Sequence, residues 1–187
     1  MRWIRRALQE PVPLPCRPGS RWGALLLVTG LCAWAVGATG SATTTLQKGR
    51  PAPEFHVTDL QGRVFDSRAL RGRVAVLNFW FIACPPCRVE IPGLNRLVAR
   101  YRHEEVVFLA FAADASQPLQ AFLAVHPFDY AVIPDATPIA ERFGIDGAPT
   151  HVVLDRDWRV VHVIRGAVED VSRELAPWID RALGGDQ

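Results

Sequence analysis

The sequence predicts an α/β domain, a central sheet covered by helices on both faces. Three observations carry this. Two solid apolar runs, Val74–Phe81 and Val106–Ala112, have the continuity of strands buried on both sides. Between them, Ile91, Leu94, Leu97 and Val98 recur at helical spacing. Further on, short strand-like and helical stretches alternate and close with a hairpin and an amphipathic helix, the order of an α/β fold.

The elements follow in order. Residues 40–50 (Gly40-Ser41-Ala42-Thr43-Thr44-Thr45-Leu46-Gln47-Lys48-Gly49-Arg50) read as a flexible tether. Phe55–Asp59 and Arg63–Phe65 flank Gln61-Gly62 as a short hairpin. Val74–Phe81 is the central strand. A helix is expected from Pro85 to about Arg102, with Tyr101 continuing its apolar stripe and Pro92 kinking it. Val106–Ala112 is the second buried strand. Ser116 is expected to cap a helix reaching Val125. Tyr130–Ile133 reads as a short strand and Pro138–Phe143 as a short helix closed by Gly144. His151–Leu154 and Val160–Ile164 flank Asp155-Arg156-Asp157-Trp158 as an antiparallel hairpin. Val168–Leu183 is the closing helix, ended by Gly184-Gly185. This order places the turn after Val74–Phe81 at the C-terminal end of a central strand, where open α/β sheets put their sites.

With 187 residues the chain holds one domain plus an extra segment. The formal net charge of +2 is unevenly spread: residues 1–45 carry +4 and the remainder −2. The body has no basic surplus, which argues against nucleic acid as a partner. From Trp22 to Gln47 there is no charged residue, and Trp22–Gly37 is densely apolar. About 17–25 such residues span a bilayer as helix. Arginines precede the segment and small polar residues follow, so the N-terminus stays cytoplasmic and the body is exported. The expected organisation is a basic leader at 1–21, a transmembrane anchor or signal segment at 22–39, the tether at 40–50 and the folded domain at 51–187. A long leader and two tryptophans near the segment ends favour an uncleaved inner-membrane anchor. The alternative is a signal cleaved near Gly40-Ser41-Ala42, leaving a soluble exported domain.

Of four cysteines, Cys16 and Cys32 lie in the leader and the apolar segment and read as incidental. That leaves Cys84-Pro85-Pro86-Cys87, at the turn where the central strand ends and the helix begins. A bridge between residues three apart closes almost no loop and makes a poor staple, so in an oxidising compartment the pair reads as chemical. Unpaired N–H groups and the macrodipole favour a thiolate at a helix N-terminus. Cys84 is expected there as the exposed nucleophile. Cys87, one turn in and more buried, is expected to attack the mixed disulfide that Cys84 forms. Pro85 suits a first turn with no N–H to lose, and Arg88 adds positive charge. Structural zinc needs two more ligands that the body does not offer as a cluster. A copper(I) site on both thiolates is chemically allowed and stands as an alternative role.

With the dithiol, the run Asn78-Phe79-Trp80-Phe81-Ile82-Ala83-Cys84-Pro85-Pro86-Cys87-Arg88 resembles the active site of the thioredoxin superfamily. More narrowly the chain resembles the membrane-anchored, extracytoplasmic TlpA/ResA group. Ala52-Pro53-Glu54-Phe55 with the Gln61-Gly62 hairpin is similar to that group's N-terminal extension, Glu90 to its active-site glutamate, and Gly144-Ile145-Asp146-Gly147-Ala148-Pro149-Thr150 to its cis-proline loop. The resemblance covers residues 49–183. It implies a thioredoxin-like fold, a mixed central sheet flanked by helices with an N-terminal hairpin extension, and thiol–disulfide exchange without a cofactor.

By the same resemblance, Cys84 is the nucleophile and Cys87 the resolving thiol, joined in a redox-active disulfide. Pro149 is the cis-proline facing the dithiol, and Ala148 offers backbone hydrogen bonds to an extended substrate. Read from the residues alone, Pro149 is an ordinary trans turn. Glu90 lies at i+3 from Cys87 on the same helical face. Half-buried there, a carboxyl group favours its protonated form and can take or give the proton of Cys87. The plainer reading is a solvated glutamate in an early helical turn. Asn78 and Trp80 read as structural or site-lining, and His151 as a satisfied surface or core group.

The group often has Trp before its first cysteine, whereas this chain has Ala83. That bears on substrate preference rather than on the chemistry. The resemblance implies reduction of disulfides in exported proteins, such as apocytochrome c or metal-site cysteines, with a transmembrane electron donor and the inner membrane as partners. A peroxiredoxin-like peroxidase is the remaining rival. Those enzymes resemble one another in a Thr three residues before the reactive cysteine, and here that position is Phe81.

Overall fold

The computed structural model describes residues 46–184. The leader at 1–21 and the apolar segment at 22–39 lie outside the described residues, and so do the expectations placed on them. Among the described residues no helix is long and apolar enough to cross a membrane.

A short antiparallel hairpin, β1 (His56–Thr58) and β2 (Val64–Asp66), leads into the central strand β3 (Val74–Trp80). All seven residues of β3 are buried, as a strand covered on both faces requires, with Asn78 the one polar residue among them. Helix α1 (Pro85–Arg100) follows and runs through Pro92. Then come β4 (Val106–Ala112), α2 (Ser116–Leu123), β5 (Ala131–Ile133), α3 (Thr137–Arg142), β6 (Thr150–Leu154), β7 (Val160–Arg165) and α4 (Val171–Gly184). The five-stranded sheet has the order β5-β4-β3-β6-β7. β3, β4 and β5 are parallel, while β6 and β7 pair antiparallel, so the sheet is mixed.

Period-2 alternation divides β3 between two cores. Val74, Val76 and Trp80 pack with Ile91, Leu94 and Leu97 of α1 and with Leu175 and Ile179 of α4. Ala75, Leu77 and Phe79 face a second core with Phe55, Phe111, Phe143 and Trp158. Phe55 closes that face, its ring 5.3 Å from Phe111 and 5.6 Å from Trp158. The N-terminal extension therefore supplies core to the domain it precedes.

Two helices start elsewhere than the sequence suggests. Ser116 is the first residue of α2 and does not cap it; Ala115 holds the cap position and makes no side-chain cap bond. Helix α4 begins at Val171 rather than Val168. The Asp170 carboxylate accepts the backbone N–H groups of Ser172 at 3.0 Å and Arg173 at 3.3 Å, an N-cap that fixes the start. The N–H of Val168 points instead to Glu90 Oε1 at 3.0 Å.

Candidate active site

The end of β3 and the start of β6 lie side by side at one end of the sheet. β6 runs antiparallel to β3, with Thr150 opposite Phe79, so the loop before Thr150 lies beside the turn that follows Trp80. The dithiol and the Ala148–Pro149 loop are neighbours through that register, although 62 residues separate Cys87 from Pro149.

Cys84 is the N-cap of α1, with extended backbone (φ −92°, ψ 101°), and prolines occupy the next two positions. Its Sγ accepts the backbone N–H of Cys87 at 3.3 Å. Cys84 and Cys87 form a disulfide with Cα atoms 5.3 Å apart. No acidic residue stands in the first turn of α1, so nothing there offsets the positive end of the helix. The Asp114 carboxylate accepts the N–H of Ile82 at 2.7 Å and ties down the turn from its far side.

Cys84 is not the exposed member of the pair in this state. Both cysteines are 3% exposed, within the core that Ile82, Ala148 and Val168 border. Among the described residues Arg88 pairs with no carboxylate; its guanidinium lies 5.7 Å from the centre of the Phe122 ring.

The Ala148–Pro149 peptide is cis. Thr150 Oγ1 donates to the carbonyl of Gly147 at 2.7 Å, and the N–H of Gly166 donates to that of Pro149 at 2.8 Å. Ala148 is half-buried against the dithiol core. A side-chain bond on one side and a backbone bond on the other hold this loop in place.

Glu90 is only 5% exposed, which overturns the solvated reading. Its Oε1 accepts from Val168 and its Oε2 lies 3.1 Å from Nε2 of His151. His151 is fully buried, and its Nδ1 lies 3.2 Å from Nδ2 of Asn78, the residue opposite it in the β3–β6 ladder. The structure thus joins Glu90 to His151, which the sequence reading left outside the site, and through it to Asn78, which that reading had as structural or site-lining. The available clue was alternation: His151 and Val153 share a face of β6, and that face packs under α1. Among the described residues no group of three or more His, Cys, Asp and Glu side chains is placed to hold a metal ion.

The arrangement can break and form a disulfide at a helix N-terminus, with a buried carboxyl group one turn below. Known proteins agree. The Redoxin family model matches residues 47–175. The thiol-disulfide oxidoreductase ResA of Bacillus cereus is 31% identical over 73% of this chain and 79% of its own, and that of Bacillus anthracis 33% identical over the same shares. A DsbE thiol:disulfide interchange protein from Chlorobium tepidum superposes with a TM-score of 0.69 at 29% identity, covering 75% of this chain and all of its own. A secreted Mycobacterium tuberculosis disulfide oxidoreductase homologous to DsbE gives 0.59 at 27% identity, covering 67% and 94%. Fold, dithiol and relatives converge: the chain belongs to the redoxin family, as a thioredoxin-like thiol–disulfide oxidoreductase of the TlpA/ResA kind.

Proposed function

We propose that the chain acts outside the cytoplasm, held to the inner membrane by residues 22–39, and reduces disulfides of exported proteins. The tether expected at 40–50 is shortened at its far end: Leu46 is buried in the domain core, and Gly49 and Arg50 hydrogen-bond to the backbone of Val160, so residues 40–45 stand between the anchor and the catalytic domain on the periplasmic side. The observation that carries this reading is the Cys84–Cys87 disulfide at the N-cap of α1, beside the Pro149 loop. The charge pattern of the leader and the secreted Mycobacterium relative support the location.

In the reduced protein, the Cys84 thiolate attacks one sulfur of a substrate disulfide. A mixed disulfide forms and the first substrate thiolate leaves. Cys87 then gives its proton to Glu90, and its thiolate attacks Sγ of Cys84. The Cys84–Cys87 disulfide forms, and the second substrate thiolate leaves with the electron pair. Ala148 presents backbone groups to the substrate strand from the Pro149 loop. Each turnover moves two electrons and leaves the disulfide, so a transmembrane electron donor must restore the dithiol. Apocytochrome c and metal-site cysteines are the substrates that the resemblance supports.

A redox titration of the full-length chain in defined thiol buffers tests this. A two-electron transition well below about −180 mV is expected of a dedicated reductant. A value near −120 mV, roughly that of a strong oxidase, would reverse the direction of flow. Absence of a two-electron couple would remove the dithiol role.

A further inference from the structure

We infer that His151 is a positioning residue for the proton step, its Nε2–H holding Glu90 as the carboxylate that receives the proton of Cys87. The inference rests on the proton role proposed for Glu90 and adds a residue to it.

The hydrogen-bond directions follow from donor chemistry. Nδ2 of Asn78 can only donate, so Nδ1 of His151, 3.2 Å away, accepts. The ring hydrogen then sits on Nε2 and is donated to Glu90 Oε2 at 3.1 Å. The N–H of Val168 fills the other carboxylate oxygen. Each oxygen of Glu90 therefore accepts one hydrogen bond, one from a side chain and one from the backbone. Asn78, His151 and Glu90 are all buried, so none can exchange its partner for water at low cost.

A small cleft of about 90 Å³ reaches Glu90 between α1 and the lead-in to α4, lined among others by Arg96, Val168, Glu169 and Asp170. It gives the proton a route to water that bypasses the disulfide. The other charged or titratable groups around this cluster are engaged or exposed. On α1, Arg96 bonds Asp170 and Ser172. On β7, His162 stacks on Trp178, and Arg165 is exposed. Glu169 on the α4 lead-in is exposed. Among the described residues, His151 is the one side chain bonded to Glu90.

The step balances. Cys87 S–H transfers its proton to Glu90, the thiolate attacks Sγ of Cys84, and the leaving thiolate carries the electron pair away. Glu90 then returns its proton to water through the cleft.

The test uses the reduced full-length chain and 5,5′-dithiobis(2-nitrobenzoate). Its first coloured thiolate is released when Cys84 is modified, and its second when Cys87 resolves the mixed disulfide. The rate of the second phase is followed against pH for wild type, His151→Leu, His151→Phe, His151→Gln, Glu90→Gln and the double variant. Two apolar replacements of different size allow for one failing to fold, and thermal unfolding identifies which. Losing a hydrogen bond to a charged group corresponds to about tenfold, so the acid limb should move up by about one pH unit in the apolar variants. His151→Gln, which keeps a donor, should restore most of the limb. Adding an apolar change to Glu90→Gln should slow the second phase no further. Uniform slowing at every pH with the limb in place would overturn the inference, as would effects that multiply in the double variant. If Glu90→Gln leaves the second phase and its limb intact, the proton role falls and this inference with it. Two normal phases in that variant would show that the Cys84–Cys87 reading still stands.

Discussion

Tyr130 carries a buried hydroxyl with no hydrogen-bond partner among the described residues. Its ring packs between Phe108 at 5.0 Å and Phe128 at 4.8 Å, so the aromatic body sits well and the oxygen does not. An unpaired buried polar group costs about 1–3 kcal/mol. Tyr130→Phe keeps the ring and sheds the oxygen, and should raise the unfolding free energy by about 1 kcal/mol, read as a higher denaturant midpoint. A loss of stability would mean that the hydroxyl is bonded in solution. The contrast with Glu90, His151 and Asn78 is instructive, because there three buried polar side chains satisfy one another. Cys84, Cys87 and the face of Glu90 were legible in the sequence because their relations are local to one turn and one helix. His151 was not, because its partner Asn78 lies 73 residues away and meets it only through the register of β3 with β6. The burial of Cys84 was missed for a similar reason, since spacing predicts which cysteine caps the helix but not how the oxidised pair turns.

Helices α1 and α4 meet at Gly93, where a Cβ would lie 2.8 Å from Cγ1 of Val171. Glycine inside a helix costs about 1 kcal/mol relative to alanine, so propensity alone favours Gly93→Ala. The overlap should win. Val171 is 2% exposed and starts α4, and the Asp170 cap fixes that start, so it has little room to yield. Overpacking costs about 1–3 kcal/mol, and the variant should lose about 1–2 kcal/mol net in urea unfolding. An unchanged or raised midpoint would show that the two helices slide apart freely. This contact also shows where element-scale reading stops. The stripe Ile91, Leu94, Leu97 gave α1 its buried face, and the two apolar runs gave the paired strands β3 and β4. The start of α4 was misplaced because the N–H of Val168 is drawn off by Glu90, a residue of another helix.

For the whole molecule, the titrating groups set a stability profile whose two sides have different origins. On the acid side, Glu54, Asp66 and Asp170 are all held below the usual carboxylate range. The leading causes are the Arg68 guanidinium for Glu54, the Arg68 backbone N–H for Asp66 and the Ser172 hydroxyl for Asp170. Depressed carboxylates contribute stability that is present above their unfolded values, roughly pH 4, and is lost as pH falls through the folded ones. On the alkaline side, burial pushes Tyr130 and Tyr101 up, and Tyr101 also donates to Asp180 at 2.6 Å. Their contribution is whole below about pH 10 and is lost above it. Between these limits His162 acts alone among the resolved shifts. Burial, then Lys48, lowers it, against an opposing pull from Glu174. A depressed histidine favours the folded state while neutral, so its contribution is present above about pH 6.5 and declines as pH falls through the folded value. Its ring stacks on Trp178 at 4.1 Å and 8°, and Lys48, where the tether joins the domain, lies over the same indole at 5.4 Å. His162→Phe keeps an aromatic ring on Trp178 and removes the titration. Thermal unfolding from pH 8 to 5 should therefore show a decline in wild type that is flattened in the variant, while the steeper fall near pH 4, roughly where carboxylates titrate, stays in both. A decline of equal slope in the variant would assign the mid-range loss to another group. A flattened one would make the junction of tether and domain the part of the molecule that weakens first on mild acidification.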